Sequence, residues 1–338
     1  MPFGDEPDHL TYVERLSLGG RAFRMTRRRP IFAFVSAFGL ALLSACGGSG
    51  SSPSVATTSG PPAAFPVTVH AANGSVTLPA KPVAIVSLSP SATEMLYAID
   101  AGSQVKAVDK YSNYPPGTPT TRMSALQVNV ESLIALRPDL VVIPNADDKL
   151  AAKLKTVSIP LLVLPAATKI ADVYSEMSTL GEATGHVDQA AKESAGIRTS
   201  LQRIAASVPK QSPAPTYFYE LSPDYYSVTS DTFVGQLLGM LGLHSIADTA
   251  KGAAKSGGYP QLSSEFIVKA NPDYVFLADT ICCEQTVAKV AKRPGWSQLS
   301  AVRAHHVVPL NDDIASRWGP RIVVLLKTIA DALHPSAM

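Results

Sequence analysis

The sequence predicts an α/β fold of two similar parallel-sheet lobes, joined by a single long helix, with a ligand cleft between the lobes. The leading observation is an internal repeat, because residues 129–143 and 263–277 carry the same features in the same order without a gap. Each copy has a residue that can cap a helix, a two-turn helix, a Pro-Asp turn and an apolar run. The runs lack polar alternation, which is typical of parallel strands that are covered on both faces.

The segments around the repeat indicate the same architecture. Short apolar runs alternate with helical segments in both halves of the chain, and this pattern favours right-handed strand–helix–strand units. The apolar residues between 187 and 208 have helical spacing and predict one helix that bridges the lobes. We therefore expect an N-terminal lobe over residues 65–186, a linker helix over 187–210 and a C-terminal lobe with a terminal helix over 211–338.

The N-terminus has the pattern of a secretory signal. Three arginines at 27–29 precede a short apolar run, and small residues lead from this run to Cys46. The run is too short to span a bilayer, and a cysteine at this point looks like a bacterial lipobox. The sequence predicts a signal peptide over 1–45, with Met25 as an alternative start, then a lipidated Cys46 at the head of a flexible Gly/Ser-rich tether over 46–64.

Charge and composition exclude several functional classes. Six arginines and four acidic residues fall within 1–45, which leaves 23 basic and 23 acidic residues in the mature chain. A neutral chain lacks the basic surface that nucleic acids require. The sequence has no phosphate-binding loop and no His/Glu pair at helical spacing, so it predicts neither an enzyme nor a cofactor. His305 and His306 open a strand, where adjacent side chains diverge, and we expect no metal site there.

Four segments together resemble one family of binding proteins. They are residues 86–94, residues 109–116 with their Tyr-Ser-Asn-Tyr-Pro run, residues 129–139, and Pro-Gly-Trp at 294–296. As a set, they resemble the cobalamin and iron–siderophore binding proteins of ABC importers, over residues 66–336. The resemblance implies a monomeric solute-binding protein outside the cytoplasm that delivers a bulky organometallic ligand to an ABC permease and its ATPase. Cobalamin is the preferred ligand, a ferric siderophore or haem comes next, and the lipid is the only contact with the cell membrane.

The resemblance also implies site residues, carried over from the matching motifs and from the loops that follow the strands. The expected ligand-binding residues are Ser89, Pro90, Tyr111, Tyr114, Tyr225, Tyr226, Asp313, Ile314, Arg317 and Trp318. Glu94 matches a glutamate with which the family grips arginines of the permease, but Ser316 stands where a second such glutamate would be. Ile314 stands where the cobalamin binder has an aromatic residue.

Several of these residues have a structural interpretation as well. Glu94 follows Ser91 by three residues, which is the spacing of a helix capping box. Tyr225 and Tyr226 are adjacent, so we expect at most one of them to face the ligand. Trp318 can equally be a packing residue beside the terminal helix. Cys282 and Cys283 can close into a vicinal disulfide that forms a rigid ring at the site, or can remain small buried thiols.

Two other functions remain open at this point. A zinc or manganese receptor of similar two-lobed build would need several His and carboxylate ligands that converge, whereas this sequence spreads its histidines widely. A lipoprotein that no longer takes part in transport, and serves as a sensor or interaction module, would have the same sequence features.

Overall fold

The computed structural model describes residues 65–334. The predicted signal peptide, the predicted lipidation site at Cys46 and the predicted tether therefore lie outside the described residues. Within residues 65–334, no helix combines the length and the apolar character that crossing a membrane requires.

The N-terminal lobe begins with an antiparallel hairpin of β1 (Val67–Ala71) and β2 (Gly74–Leu78). A parallel sheet follows, formed by β3 (Ile85–Ser87), β4 (Val105–Val108), β5 (Leu140–Ile143) and β6 (Leu161–Val163), in the order β4-β3-β5-β6. Its helices are α1 (Pro90–Ala98), α2 (Val130–Ala135), α3 (Asp148–Thr156) and α4 (Ile170–Thr184).

The C-terminal lobe has a second parallel sheet. Its strands are β7 (Thr216–Glu220), β8 (His244–Ser245), β9 (Tyr274–Leu277) and β10 (Val307–Pro309), in the order β8-β7-β9-β10. Its helices are α6 (Phe233–Met240), α7 (Ser264–Ala270), α8 (Val287–Ala291), α9 (Ser300–Arg303), α10 (Asp312–Ser316) and α11 (Ile322–Leu333). The two sheets have the same strand order, so the fold of two similar lobes is confirmed.

The repeated Pro-Asp turn performs the same task in both lobes. The carboxylate of Asp139 accepts hydrogen bonds from the amides of Val83 and Ala84, at 2.8 and 3.0 Å, beside the start of β3. The carboxylate of Asp273 accepts from the amide and the hydroxyl of Thr216, at 2.8 and 2.9 Å, at the start of β7. In each lobe the aspartate thereby ties the repeated strand to the neighbouring strand in the sheet.

A single helix, α5 (Val187–Ser207), connects the lobes. It packs against α4 of the first lobe and against α11 of the second. Buried side chains from both lobes form one continuous core around it, including Met177, Leu201 and Leu326. The lobes are therefore joined by packed apolar side chains as well as by the chain itself.

Candidate ligand cleft

The first lobe presents the start of α1 to the cleft. Ser89 has extended backbone and is the N-cap of α1, and its hydroxyl accepts a hydrogen bond from the amide of Ala92. Pro90 occupies the first helical position, which suits a residue without an amide hydrogen. Both residues are buried. The predicted capping box of Ser91 and Glu94 is wrong, because the helix begins before Ser91.

The loop after β4 carries the two tyrosines that the resemblance implicates. Asp109 organises this loop, because one of its carboxylate oxygens accepts from the amide and the hydroxyl of Ser112, at 3.0 and 2.6 Å. Burial raises the pKa of Asp109, although these hydrogen bonds oppose the rise. The Lys110 ammonium lies 4.7 Å from the centre of the Tyr111 ring. Tyr114 is 41% exposed and can offer its ring to a ligand.

The facing part of the second lobe is α10 with the segment that follows it. Asn311 caps α10, because its side-chain oxygen accepts a hydrogen bond from the amide of Ile314, and Asp312 and Asp313 are the first two residues of the helix. Ile314 is half-buried against the core. Arg317 follows the helix and is almost fully buried. Burial lowers the pKa of Arg317, against the opposing effect of the nearby Asp313 carboxylate.

Polar side chains join the two lobes across the cleft. The Arg317 guanidinium donates to the side-chain oxygen of Asn113 and, at 2.8 Å, to the carbonyl of Tyr111. It also forms an ion pair with Asp313. The amide nitrogen of Asn113 in turn donates to Asp313 at 2.9 Å. The structure thus brings together three predicted site residues, Tyr111, Asp313 and Arg317. Arg317 contacts the other two directly, so these polar groups are already paired before a ligand binds.

Glu94 lies in the same interface and is 3% exposed. Both of its carboxylate oxygens accept from Arg321 of the second lobe, and Arg317 lies 3.7 Å away. Burial raises the pKa of Glu94, and the hydrogen bond and charge of Arg321 act against this rise. In this structure Glu94 is paired with an arginine of its own chain rather than exposed, and its role in permease docking stays a prediction.

Three further predicted ligand residues serve packing inside the second lobe. Trp318 is buried and stacks on Phe233, with ring centres 4.8 Å apart, which favours the packing role that the sequence left open. Tyr225 has a positive φ of 65° and stacks on Trp296 at 5.7 Å. Tyr226 packs instead against the main core. The two neighbouring tyrosines therefore diverge, as their adjacency predicts.

A buried charge cluster that the sequence analysis missed lies at the ends of β7 and β9. The Arg293 guanidinium donates to both carboxylate oxygens of Glu220, which is fully buried. Neither oxygen of the equally buried Asp279 has a hydrogen-bond partner in the described part of the chain. Burial, together with the Glu220 charge, raises the pKa of Asp279 to about 8. A polar residue at or just after the end of a buried strand predicts a buried charge cluster only weakly, because such positions are often exposed turns.

The structure also shows the arrangement of the two neighbouring cysteines and of the other residue types that can bind metals. Cys282 and Cys283 form a disulfide between neighbouring residues in the loop after β9. Within residues 65–334, no three His, Cys, Asp or Glu side chains are grouped so that they could hold a metal ion.

The two lobes have parallel sheets with the same strand order, and the loops that follow their strands meet across a cleft. This is the architecture of a two-lobed binding protein. Residues 85–314 match the family model described as periplasmic binding protein, and the chain belongs to this family. It is a solute-binding protein of an ABC importer, a class that works with a permease and an ATPase and binds small molecules rather than transforming them.

Named relatives cover most of the chain. The uncharacterized ABC transporter substrate-binding lipoprotein YvrC of Bacillus subtilis is 32% identical over 282 residues, which are 80% of this chain and 86% of YvrC. A cobalamin-binding protein of Halobacterium salinarum is 32% identical over 280 residues, covering 80% of this chain and 74% of that protein. A crystal structure from Staphylococcus epidermidis, described as a possible iron-binding periplasmic solute-binding protein, matches with a TM-score of 0.64 at 28% identity, over 75% of this chain and 100% of that chain.

Proposed function

We propose that this protein is a lipid-anchored, monomeric receptor that binds cobalamin and delivers it to an ABC importer. The observation that carries the proposal is the 32% identity to a cobalamin-binding protein, because the matched 280 residues are long enough to include both lobes and the cleft between them. The Tyr-Ser-Asn-Tyr-Pro run in the loop after β4 supports the same ligand.

The chemistry of the cleft is compatible with a large, polar-edged ring. Large ligands are held mainly by apolar and aromatic area with few polar anchors, and tyrosine offers both. Tyr114 supplies an exposed ring, while Asn113, Asp313 and Arg317 supply hydrogen-bonding groups at the same edge. Because these polar groups bond with one another across the cleft, the ligand must replace some of their contacts when it enters.

Thermal unfolding of the purified full chain with separate ligands tests the proposal. A ligand that binds only the folded state adds RT ln(1 + [L]/Kd), about 2.7 kcal/mol at a hundredfold excess over Kd. We expect cyanocobalamin to raise the melting temperature more than haem or a ferric siderophore does. Zn²⁺ and Mn²⁺ serve as the comparison for the rival receptor class.

Each result of this panel decides between the functions that the sequence left open. A shift with haem or a ferric siderophore alone would keep the transport function and replace the ligand. A shift with Zn²⁺ or Mn²⁺ alone would favour the metal receptor. No shift with any of these ligands would favour a lipoprotein that acts as a sensor or interaction module.

The lipid anchor is tested separately. Cys46→Ser removes the thiol that would receive the lipid, and we expect the variant to leave the membrane fraction or to be processed incorrectly. Cys282→Ser is the matched control, because it removes a cysteine within the folded body and should leave membrane association unchanged. Retention of the Cys46 variant in the membrane fraction would contradict the anchor.

A further inference from the structure

The loop between β9 and α8 carries an unusual exposed tip. Its disulfide joins the adjacent residues Cys282 and Cys283, and Cys282 is exposed. The preceding residue, Ile281, is a large apolar side chain that is 59% exposed. We refer to Ile281, Cys282 and Cys283 as the disulfide tip. It presents sulfur and an aliphatic side chain to solvent, at a position where a turn is usually polar.

One side of the disulfide tip is fixed by a buried carboxylate. Asp312 accepts hydrogen bonds from three successive amides, those of Thr280 at 2.8 Å, Ile281 at 3.0 Å and Cys282 at 2.7 Å. The Thr280 hydroxyl also donates to Asp312, at 3.0 Å. Asp312 is 8% exposed, so this is an internal support for the loop rather than a surface contact. The backbone of Ile281 is therefore held in place although its side chain is exposed.

The other side of the disulfide tip is fixed by the buried charge cluster. The Gln285 side chain donates to the carbonyl of Cys283 at 3.1 Å and accepts from Arg293 at 2.9 Å. Arg293 is itself held by both carboxylate oxygens of Glu220. The tip is thus supported at both ends by groups that are mostly buried, which indicates that its exposed position is built into the fold.

The disulfide tip lies beside the cleft. It follows the carboxyl end of β9, which is the side of a parallel sheet where ligands bind. Asp312 holds the tip, and the next residue, Asp313, accepts a hydrogen bond from Asn113 of the first lobe. One short helix, α10, therefore carries both the support of the tip and a contact across the cleft.

We propose that the disulfide tip is an apolar contact for the ligand, and that its redox state sets the ligand affinity. The proposal rests on the proposed transport function and extends it, because it assigns a ligand class: an organic molecule with a large apolar face. The oxidised ring holds two side chains in one arrangement before binding. A dithiol reduces it by giving two electrons and two protons, which yields two thiols while the dithiol becomes a disulfide. The free side chains must then be ordered when the ligand binds.

The proposal predicts that affinity and stability respond differently to reduction. Ordering one or two freed side chains weakens binding about three- to tenfold. The melting temperature should change little, because a disulfide between neighbouring residues closes the shortest loop and so constrains the unfolded chain only slightly. A purely structural disulfide would show the opposite result, with a lower melting temperature and an unchanged affinity.

Calorimetric titration of the full chain with cyanocobalamin, with and without dithiothreitol, tests the proposal. The double variant Cys282→Ser/Cys283→Ser should bind as weakly as the reduced protein and should not respond to dithiothreitol. This second result also controls for any effect of the reductant on the ligand. Ile281→Ala should weaken binding by a similar factor. Val83→Ala is its matched control, because Val83 is an exposed apolar residue at the opposite end of the first sheet.

The outcomes separate this proposal from the function on which it rests. Equal affinity of the oxidised and reduced protein for cyanocobalamin would overturn the role of the tip and leave the transport function intact. A response to dithiothreitol that persists in the double variant would also overturn it. Absence of cyanocobalamin binding by the oxidised protein would overturn both the choice of cobalamin as the ligand and the role of the tip as its contact, whereas the transport function is decided by the thermal panel with the other ligands.

Discussion

Glu94 and Arg321 form a two-point ion pair that joins the lobes. The Nε of Arg321 donates to one carboxylate oxygen at 2.8 Å and an Nη donates to the other. The backbone of the lobes is also close here, because a Cβ placed on Gly319 would lie 3.4 Å from the carbonyl oxygen of Ser91. The Glu94 side chain is only 2% exposed and that of Arg321 14%, so removing the Glu94 charge leaves the largely buried Arg321 without its carboxylate partner.

The first prediction concerns the stability contribution of this pair. Glu94→Gln should lower the free energy of unfolding by about 3 kcal/mol, as expected when one member of a buried ion pair is removed. Equilibrium unfolding in urea measures the change. The double variant Glu94→Gln/Arg321→Met should be more stable than the sum of the single effects predicts, because the second substitution removes the unpaired charge.

Lys327 and Asp331 provide the matched control on the same terminal helix. This pair is also in hydrogen-bond contact, at 2.7 Å, but both side chains are 63% exposed. Exposed ion pairs contribute at most about 1 kcal/mol, so Lys327→Met should have a small effect. Equal changes in unfolding free energy for Glu94→Gln and Lys327→Met would contradict the assignment of Glu94 to a buried ion pair between the lobes.

The same region shows which features the sequence could predict. The two sheets were predictable because the Pro-Asp turn, its cap and its apolar strand are local patterns, and Asp139 and Asp273 do tie their strands as repeated turns would. The start of α1 was misjudged. Ser91 and Glu94 have capping-box spacing, but Ser89 followed by Pro90 provides an earlier cap, and the helix begins there.

Contacts between the lobes could not be predicted from local patterns. Glu94 and Arg321 are separated by 227 residues, and their pairing depends on how the lobes pack. The pair of Arg293 and Glu220 lies within the second lobe, and local patterns do not predict it either, because 73 residues separate its members. Trp318 illustrates the ambiguity of an aromatic residue beside a cleft, because only its stacking on Phe233 assigns it to the core.

The second prediction is a pH dependence that comes from Asp279. Its pKa is raised from 3.8 to about 8 in the folded protein, so the folded state retains a proton that the unfolded chain releases at lower pH. Its contribution to stability is therefore fully present below pH 4 and is lost progressively up to about pH 8. Asp279→Asn keeps a neutral side chain of similar shape and should remove this decline.

Urea unfolding of both proteins at pH 5, 6.5 and 8 checks the prediction. As the pH rises, the unfolding free energy of the wild type should fall relative to that of Asp279→Asn. Asp331→Asn is the control, since it removes an exposed carboxylate whose pair with Lys327 contributes at most about 1 kcal/mol. Parallel pH profiles of the wild type and Asp279→Asn would contradict the raised pKa.

The third prediction concerns Tyr114. Its ring is partly exposed at the cleft, with the Arg321 guanidinium 4.2 Å from its centre. Tyr114→Ala removes the ring that we expect the ligand to contact, and should speed cobalamin release about tenfold while changing the association rate little. Tyr114→Phe keeps the aromatic area and should release the ligand at nearly the wild-type rate. Stopped-flow displacement measures both, and equal release from the alanine variant and the wild type would remove Tyr114 from the site.

The last prediction concerns how far the lobes move. The connection between them is the 21-residue helix α5, which contains no proline to localise a bend. Its buried side chains Ile197 and Leu201 belong to a core that includes residues of both lobes. A large hinge motion would have to break helical hydrogen bonds and expose part of this core. Opening of the polar contacts between Asn113 and Arg317 requires only loop and side-chain movement.

We therefore expect small-angle X-ray scattering to give nearly the same radius of gyration for the ligand-free and the cobalamin-bound protein. The double variant Lys192→Gly/Glu193→Gly provides the comparison, because Lys192 is exposed and Glu193 half-buried on α5, and neither side chain belongs to the apolar core. Each glycine destabilises the helix by up to about 1 kcal/mol without removing a core contact. This variant should be more expanded without ligand and should become more compact on binding. A clear compaction of the wild type would show that the helix bends or that the core opens, and the rigid connection would have to be abandoned even if cobalamin binds.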